Sequence, residues 1–379
     1  MSDAVQERLA SRPRGDLRTW LARLAAREDV QRWASALPFT RGRVRREGEA
    51  LMDLVSGFVQ SQALLALVEL DVIAALMDGP RAPAALARAA DVPEDRMAAL
   101  LQAGAAMGLL HRRHDGRFAV RPRGAALVGV PGLVPMIRHH GAFYRDMADP
   151  VALLRGEAET ELARVWPYVF GAREGLHPAT ARAYSDLMTQ SQGLVAQDAL
   201  RMVPLRGVRR LLDVGGGTGA FLRAAAARHP GLELALFDLP EVIDEARGQM
   251  AAAGLEARTR FHPGSFRDAP LPQGADAISL IRVLYDHEDA TVRDLLAKAH
   301  AALPPGGTLV VAEPMSGGDR PDRATDVYFA FYTMAMRTGR VRSAARIAEM
   351  VAEAGFDEIR VPRAARPYVT GALSAVRRS

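Results

Sequence analysis

Four glycines in five positions, Gly215, Gly216, Gly217 and Gly219, separate the apolar run RRLLDV from the helix-forming run AFLRAAAARH. A strand that ends in glycine and passes straight into a helix marks the start of a parallel α/β unit. Glycine lets the backbone turn sharply and approach a ligand at the carboxyl end of the strand. The segments LELALFDL, RTRFHPG, DAISLIRVL and GTLVVAEPM read as further strands. The helical patterns VIDEARGQMAAAG and ATVRDLLAKAHAAL lie among them, which predicts a doubly wound sheet over residues 205–379. FDEIRVPR adds another strand, and the closing RPYVTGALSAVRR is expected to pair back as a terminal hairpin strand.

A chain of 379 residues exceeds one small core, so the sequence upstream of residue 205 must fold separately. Residues 1–45 read as a helical arm, with Leu17, Trp20, Leu21 and Leu24 on one face of a helix running from Asp16 to Leu37. Residues 46–130 begin with a long apolar helix, EALMDLVSGFVQSQALLALVELDVIAAL, followed by two short amphipathic helices and a polar hairpin at Arg112–Arg117. That order spells a winged helix-turn-helix. DNA binding is not expected of it, because the second helix, Glu94–Leu110, offers only Arg96 and otherwise mostly Ala, Leu and Met for packing. The net charge of +5 comes from arginines interspersed with acids along most of the chain, and Lys298 is the one lysine. Residues 131–204 read as a helical connector lining a substrate pocket. The absence of cysteine excludes disulfides, thiolate nucleophiles and cysteine-bound metal. The most apolar stretch, Leu51–Met77, is interrupted by Asp53, Gln60, Gln62, Glu69 and Asp71, so no membrane span is expected. A cytoplasmic location is expected, with peripheral membrane contact through the arm left open.

The glycine loop alone fits several nucleotide cofactors. A dinucleotide fingerprint can be drawn through Gly215, Gly217 and Ala220, which keeps an NAD-dependent oxidoreductase in view. Two acids favour S-adenosylmethionine instead. Asp213, just ahead of the glycines, would repel a pyrophosphate but suits a cationic amino group. Asp238, ending the next strand, can accept both ribose hydroxyls. At the end of the third strand, Ser265 offers a hydrogen-bonding side chain and Phe266 an apolar face for adenine.

On LLDVGGGTGAF, FDLPEVI, ALPPGGTLVVAEPM and the late EAGF, the chain resembles the plant-type small-molecule O-methyltransferases from about Glu47 to Arg378. The resemblance implies a winged-helix dimerisation domain, a class I methyltransferase domain, S-adenosylmethionine as cofactor and a homodimer. Asp213, Gly215, Gly217, Asp238, Leu239, Ser265, Phe266 and Arg282 are then the candidate cofactor contacts, Ser265 standing where the family usually has aspartate. The family's Leu-His-Asp-Trp motif places its histidine base at Tyr285 and its tryptophan at His287, and its orienting glutamate falls on Glu313. The forms IRVLYDHED and GEALMDLVSGFVQSQ resemble the bacterial acyclic-carotenoid branch, the demethylspheroidene O-methyltransferases. That branch implies a 1-hydroxy carotenoid substrate and a methoxy product. Bacteriochlorophyllide C-methyltransferases, polyketide phenol methyltransferases and a winged-helix regulator with a vestigial cofactor fold are the rival readings.

Methyl transfer from a sulfonium demands no metal, and none is expected. Two proton acceptors stay open. Tyr285, a poor base at its ordinary pKa of ~10, can orient the substrate oxygen and relay the proton to Glu313, while His287 titrates in the useful range. Asp286, Glu288 and Asp289 read as cap and first-turn acids of the helix that follows. His140, Tyr144, Tyr184, Met188, Tyr332 and Met336 are candidates for the wall of an apolar pocket, a pattern that core packing explains equally well.

Overall fold

The computed structural model describes residues 17–165 and 192–378, and the chain divides into two compact units, Met1–Arg121 and Pro122–Ser379. The break after Arg121 places helix Pro122–Gly129 and the 131–204 connector with the second unit.

In the first unit the expected arm helix is two helices, Leu17–Ala25 and Glu28–Ala36. Arg27 is extended between them (φ −82°, ψ 130°), and its guanidinium pairs with Asp29 at 2.7 Å. Glu28 and Asp29 then sit in the first turn of a new helix, where the helix dipole favours acids. The long apolar helix starts earlier than expected and spans Arg41–Glu69. It stops before Asp71, which adopts the left-handed conformation (φ 49°) that a short polar side chain tolerates, and Val72–Met77 follows as a separate helix. Helix Arg41–Glu69 buries Leu67 and Val68 but leaves Leu54, Val55 and Phe58 exposed. By length and composition it is apolar enough to cross a membrane, despite its polar interruptions. Helices Pro83–Ala89 and Glu94–Ala106 precede the antiparallel hairpin of β1 (Leu110–Arg112) and β2 (Phe118–Val120). Glu94–Ala106 buries Met97 and Leu101, as its packing faces predict.

The second unit is built on seven strands: β3 (Arg210–Val214), β4 (Glu233–Asp238), β5 (Thr259–Pro263), β6 (Ala277–Ile281), β7 (Thr308–Glu313), β8 (Phe356–Arg360) and β9 (Gly371–Arg377). Their order is β5-β4-β3-β6-β7-β9-β8. β3 to β7 are parallel, and β9 pairs antiparallel with both β7 and β8, as the terminal hairpin expectation requires. This is the class I methyltransferase sheet. Every residue of β6 is buried, because helices cover both faces of the sheet. The strand order reverses between β3 and β6, so a crevice opens beyond their carboxyl ends, where ligands bind in open α/β sheets. β6 is shorter than expected, because the backbone turns left-handed at Arg282 (φ 57°) and the 3-10 turn Leu284–Asp286 follows.

Candidate cofactor and catalytic site

The glycine loop leaves β3 with Gly215 at φ +66°, its amide donating to the Phe237 carbonyl at 2.8 Å. A Cβ on Gly215 would lie 2.9 Å from Val283, and one on Gly216 would lie 2.6 Å from Asp213 Oδ2, so the loop rests directly on that carboxyl. Asp213 is buried, and the Ser279 hydroxyl donates to its Oδ1 at 2.6 Å. Oδ2 has no hydrogen-bond partner among the described residues. Burial pushes this carboxyl up to about 7, the Ser279 hydrogen bond pulls it down and the neighbouring Asp238 charge raises it. The Gly217 and Leu239 amides each donate to the half-buried Asp238 at 2.8 Å. Burial still carries Asp238 up to about 6 against those two donors. An orphaned buried carboxylate oxygen beneath a cradle too tight for a Cβ fits a cationic group. It does not fit a pyrophosphate, whose negative charge would meet Asp213.

Beyond β5, Ser265 accepts the Arg267 amide at 3.2 Å, and the Phe266 ring meets His287 edge-on, with centroids 5.2 Å apart. His287 is therefore a neighbour of the candidate adenine face. Its Nδ1 lies 3.1 Å from the Arg267 guanidinium, a pure donor, so Nδ1 accepts and the ring proton sits on Nε2. Burial, with Arg267 and Arg342 nearby, lowers His287 to about 4.

Tyr285 is 1% exposed. The Arg282 guanidinium approaches its hydroxyl at 3.4 Å and lies 5.6 Å from its ring centroid. The Asp286 carboxyl lies beside the same hydroxyl, and burial pushes the tyrosine well above its ordinary pKa. Glu313, at the end of β7, accepts the Tyr285 backbone amide on Oε2 at 3.1 Å. Tyr285 and Glu313 thus meet, but through the main chain, and the carboxyl at the hydroxyl is Asp286. Burial raises Glu313 to about 7, and its Oε1 lacks a partner among the described residues.

Asp286 departs from its reading as a helix-end acid. The helix begins at Asp289 with Glu288 as its cap residue, and Asp286 is 8% exposed with Oδ1 unpartnered among the described residues. Burial raises its carboxyl well above the usual range, reinforced by Glu313 and opposed by Arg282. Sequence reasoning also missed Arg342. Its buried guanidinium donates to the Leu284 carbonyl at 2.9 Å, the His287 carbonyl at 2.7 Å and Asp289 at 2.8 Å. It thereby pins the whole 284–289 turn, a role that no local pattern around residue 342 signals.

His140, Tyr144 and Tyr332 come together among rings of helix Leu133–Asp146 and of the π-helical turn Ala324–Phe329 with its continuation Ala330–Met336. His140 Nε2 lies 2.8 Å from the Tyr328 hydroxyl, and His139 Nε2 lies 2.8 Å from that of Tyr332. Phe329 links this cluster to Tyr285, with ring centroids 6.5 Å apart. Met336 is fully buried in the same cluster and packs as core. Tyr184 and Met188 lie outside the described residues. A separate cavity of about 330 Å³, lined by Arg210, Glu233, Arg258 and Gln273, opens at the amino ends of β3 to β5, away from the glycine loop.

Residues 144–357 match the family model of the O-methyltransferase domain, and residues 52–128 match that of the O-methyltransferase dimerisation domain. The chain is 58% identical to the demethylspheroidene O-methyltransferase of Cereibacter sphaeroides, over 94% of each chain. It is 51% identical to the enzyme of that name from Rhodobacter capsulatus, over 94% of this chain and 89% of the relative. In fold it is similar to human N-acetylserotonin methyltransferase, solved in complex with S-adenosylmethionine, with a TM-score of 0.74, 23% identity, and coverage of 88% of this chain and 98% of that one.

Proposed function

The chain belongs to the S-adenosylmethionine-dependent O-methyltransferases, and from that premise we propose that it methylates the 1-hydroxyl of an acyclic carotenoid. The observation that carries the substrate is the near full-length likeness to demethylspheroidene O-methyltransferases. The ring cluster reaching from Tyr285 through Phe329 to Tyr328 and His140 supports it, since a polyene needs an apolar wall.

S-adenosylmethionine supplies, when bound, a methyl group on a positively charged sulfur. Asp213 would hold its amino group, Asp238 its ribose, and Phe266 its adenine with His287 behind, while Gly215, Gly217, Leu239, Ser265 and Arg282 complete the shell. Arg282 also orients the Tyr285 hydroxyl, which positions the substrate oxygen. The substrate proton passes to Asp286, whose Oδ1 is free of other partners among the described residues. Glu313 holds the turn through the Tyr285 amide. His287 is too weak a base, and its Nδ1 too committed to Arg267, for the acceptor role. Positioning carries most of the rate, since orientation is worth about 7–11 kcal/mol in favourable cases and general base catalysis about 10²–10⁴-fold.

The dimerisation domain supports a homodimer that buries the apolar face of helix Arg41–Glu69. A cysteine-free chain with this enzyme fold supports work in the cytoplasm, with peripheral contact to a membrane that holds the substrate.

Incubating the purified protein with methyl-labelled S-adenosylmethionine and a 1-hydroxy acyclic carotenoid is expected to give a labelled methoxy carotenoid. Efficient labelling of a phenol or a chlorin with no carotenoid product would overturn the substrate assignment and leave the methyltransferase intact.

A further inference from the structure

The arginines that mingle with acids elsewhere are concentrated at the start of the described chain. Between residues 17 and 46 there are eight arginines against the two acids Glu28 and Asp29, an excess of six positive charges. Both acids already face arginines, Asp29 with Arg27 at 2.7 Å and Glu28 with Arg32 at 3.7 Å. Helices Leu17–Ala25 and Glu28–Ala36 bury none of their residues, although their sequences are amphipathic. Trp20 is 56% exposed, Trp33 64% and Phe39 98%. The segment also precedes the stretch matching the dimerisation domain, which begins at residue 52.

Exposed tryptophans on short amphipathic helices and an exposed phenylalanine in the turn after them, followed by the basic run RGRVRR at residues 41–46, match the two requirements of an interfacial lipid anchor. The rings enter the headgroup boundary, and the guanidinium groups meet anionic lipid. We propose that Leu17–Arg46 docks on an anionic lipid bilayer. The purpose of the docking, access to a membrane-dissolved polyene, rests on the substrate reading above, whereas the docking itself rests on charge and exposed rings. A second copy of the chain is the competing occupant, and six excess like charges on each copy disfavour two arms packing on each other.

The test is sedimentation of the full chain with vesicles of phosphatidylcholine alone or with one third phosphatidylglycerol. Binding is expected to the anionic vesicles, at least about tenfold weaker to the neutral ones, and lost in high salt. Two multiple variants complete it, Trp20→Ser with Trp33→Ser and Phe39→Ser, and Arg41→Gln with Arg43→Gln, Arg45→Gln and Arg46→Gln. Each should bind anionic vesicles at least about tenfold more weakly, keep the parent's size in light scattering, and keep methyl transfer to detergent-dispersed substrate. Docking is overturned if the parent does not sediment with anionic vesicles, if the variants sediment as well as the parent, or if the ring variant changes oligomeric size. Vesicle binding without carotenoid methylation would instead sink the substrate reading and leave the docking standing.

Discussion

At the residue scale the tyrosine at position 285 decides which neighbour the proposed mechanism asks to take the proton. A tyrosine in a dry site, pushed above its ordinary pKa, does not ionise near neutrality and cannot be the final acceptor. It can pass a proton along its hydroxyl, and the carboxyl beside that hydroxyl is Asp286. Tyr285→Phe and Asp286→Asn are therefore each expected to lower kcat by about 10²-fold, with S-adenosylhomocysteine affinity within a few-fold of the parent. Because the carboxyl must be ionised to accept, kcat should fall as pH drops, and Asp286→Asn should abolish that acid limb. Glu313→Gln still offers an oxygen to the Tyr285 amide and is expected to keep kcat within a few-fold. The opposite ranking, with Glu313→Gln crippled and Asp286→Asn active, would return the proton to Glu313. Tyr285, His287 and Glu313 were legible as a neighbourhood, because their motif position places them at the ends of β6 and β7. Which atoms face each other was not legible, since a left-handed Arg282 and a 3-10 turn decide it.

At the scale of elements, the turn from Leu284 to Asp289 carries the proposed proton acceptor, yet few of its own hydrogen bonds hold it. Arg342, from a distant segment, supplies donors to the Leu284 and His287 carbonyls and to Asp289. The backbone at Gly339 comes so close to the Tyr285 carbonyl that a Cβ there would clash, and the Arg340 amide donates to the same carbonyl at 2.8 Å. Arg342→Met takes its donor from the His287 carbonyl and one donor each from the Leu284 carbonyl and Asp289, a loss of about 3 kcal/mol or more at about 1.5–3 kcal/mol for each hydrogen bond to a charged group. The expected result is a Tm lower by about 10 °C. Turnover should be reduced more than affinity for S-adenosylhomocysteine, because Arg342 bonds the turn and Asp289 and neither Asp213 nor Asp238. Equal losses in both would show that Arg342 acts only through global stability. The strands of the sheet were legible because fully buried parallel strands read as continuous apolar runs. The breaks at Arg27 and Asp71 were not, since periodicity passes straight through a helix interruption made by one extended or left-handed residue.

For the whole molecule, the methyltransferase fold stores unfavourable ionisation in its carboxyls, and this sets how stability follows pH. Asp213, Glu313 and Asp286 have folded pKa values raised above the unfolded range, to about 7 for the first two, and Asp238 is raised to about 6. A carboxyl with a raised folded pKa gives stability that is complete below its unfolded value and lost as pH rises through the folded one, about 1.4 kcal/mol for each pH unit separating the two. The half-buried and buried histidines work the other way. His139, His140 and His287 are lowered by burial, the last two to about 4, so their neutral forms add stability as pH rises toward 6.5. From about pH 4 to 6.5 the histidines offset only part of what the four carboxyls lose; above 6.5 the histidine contribution is complete while Asp213, Asp286 and Glu313 are still ionising. The ligand-free protein is therefore expected to lose several degrees of Tm between pH 6.5 and 8, and Asp213→Asn should flatten part of that fall. Saturating S-adenosylhomocysteine should raise Tm more at pH 8 than at 6.5, because its cationic amino group favours the ionised form of Asp213. A ligand-induced rise that is the same at both values would remove Asp213 from the amino-group site, whatever the slope of the empty protein.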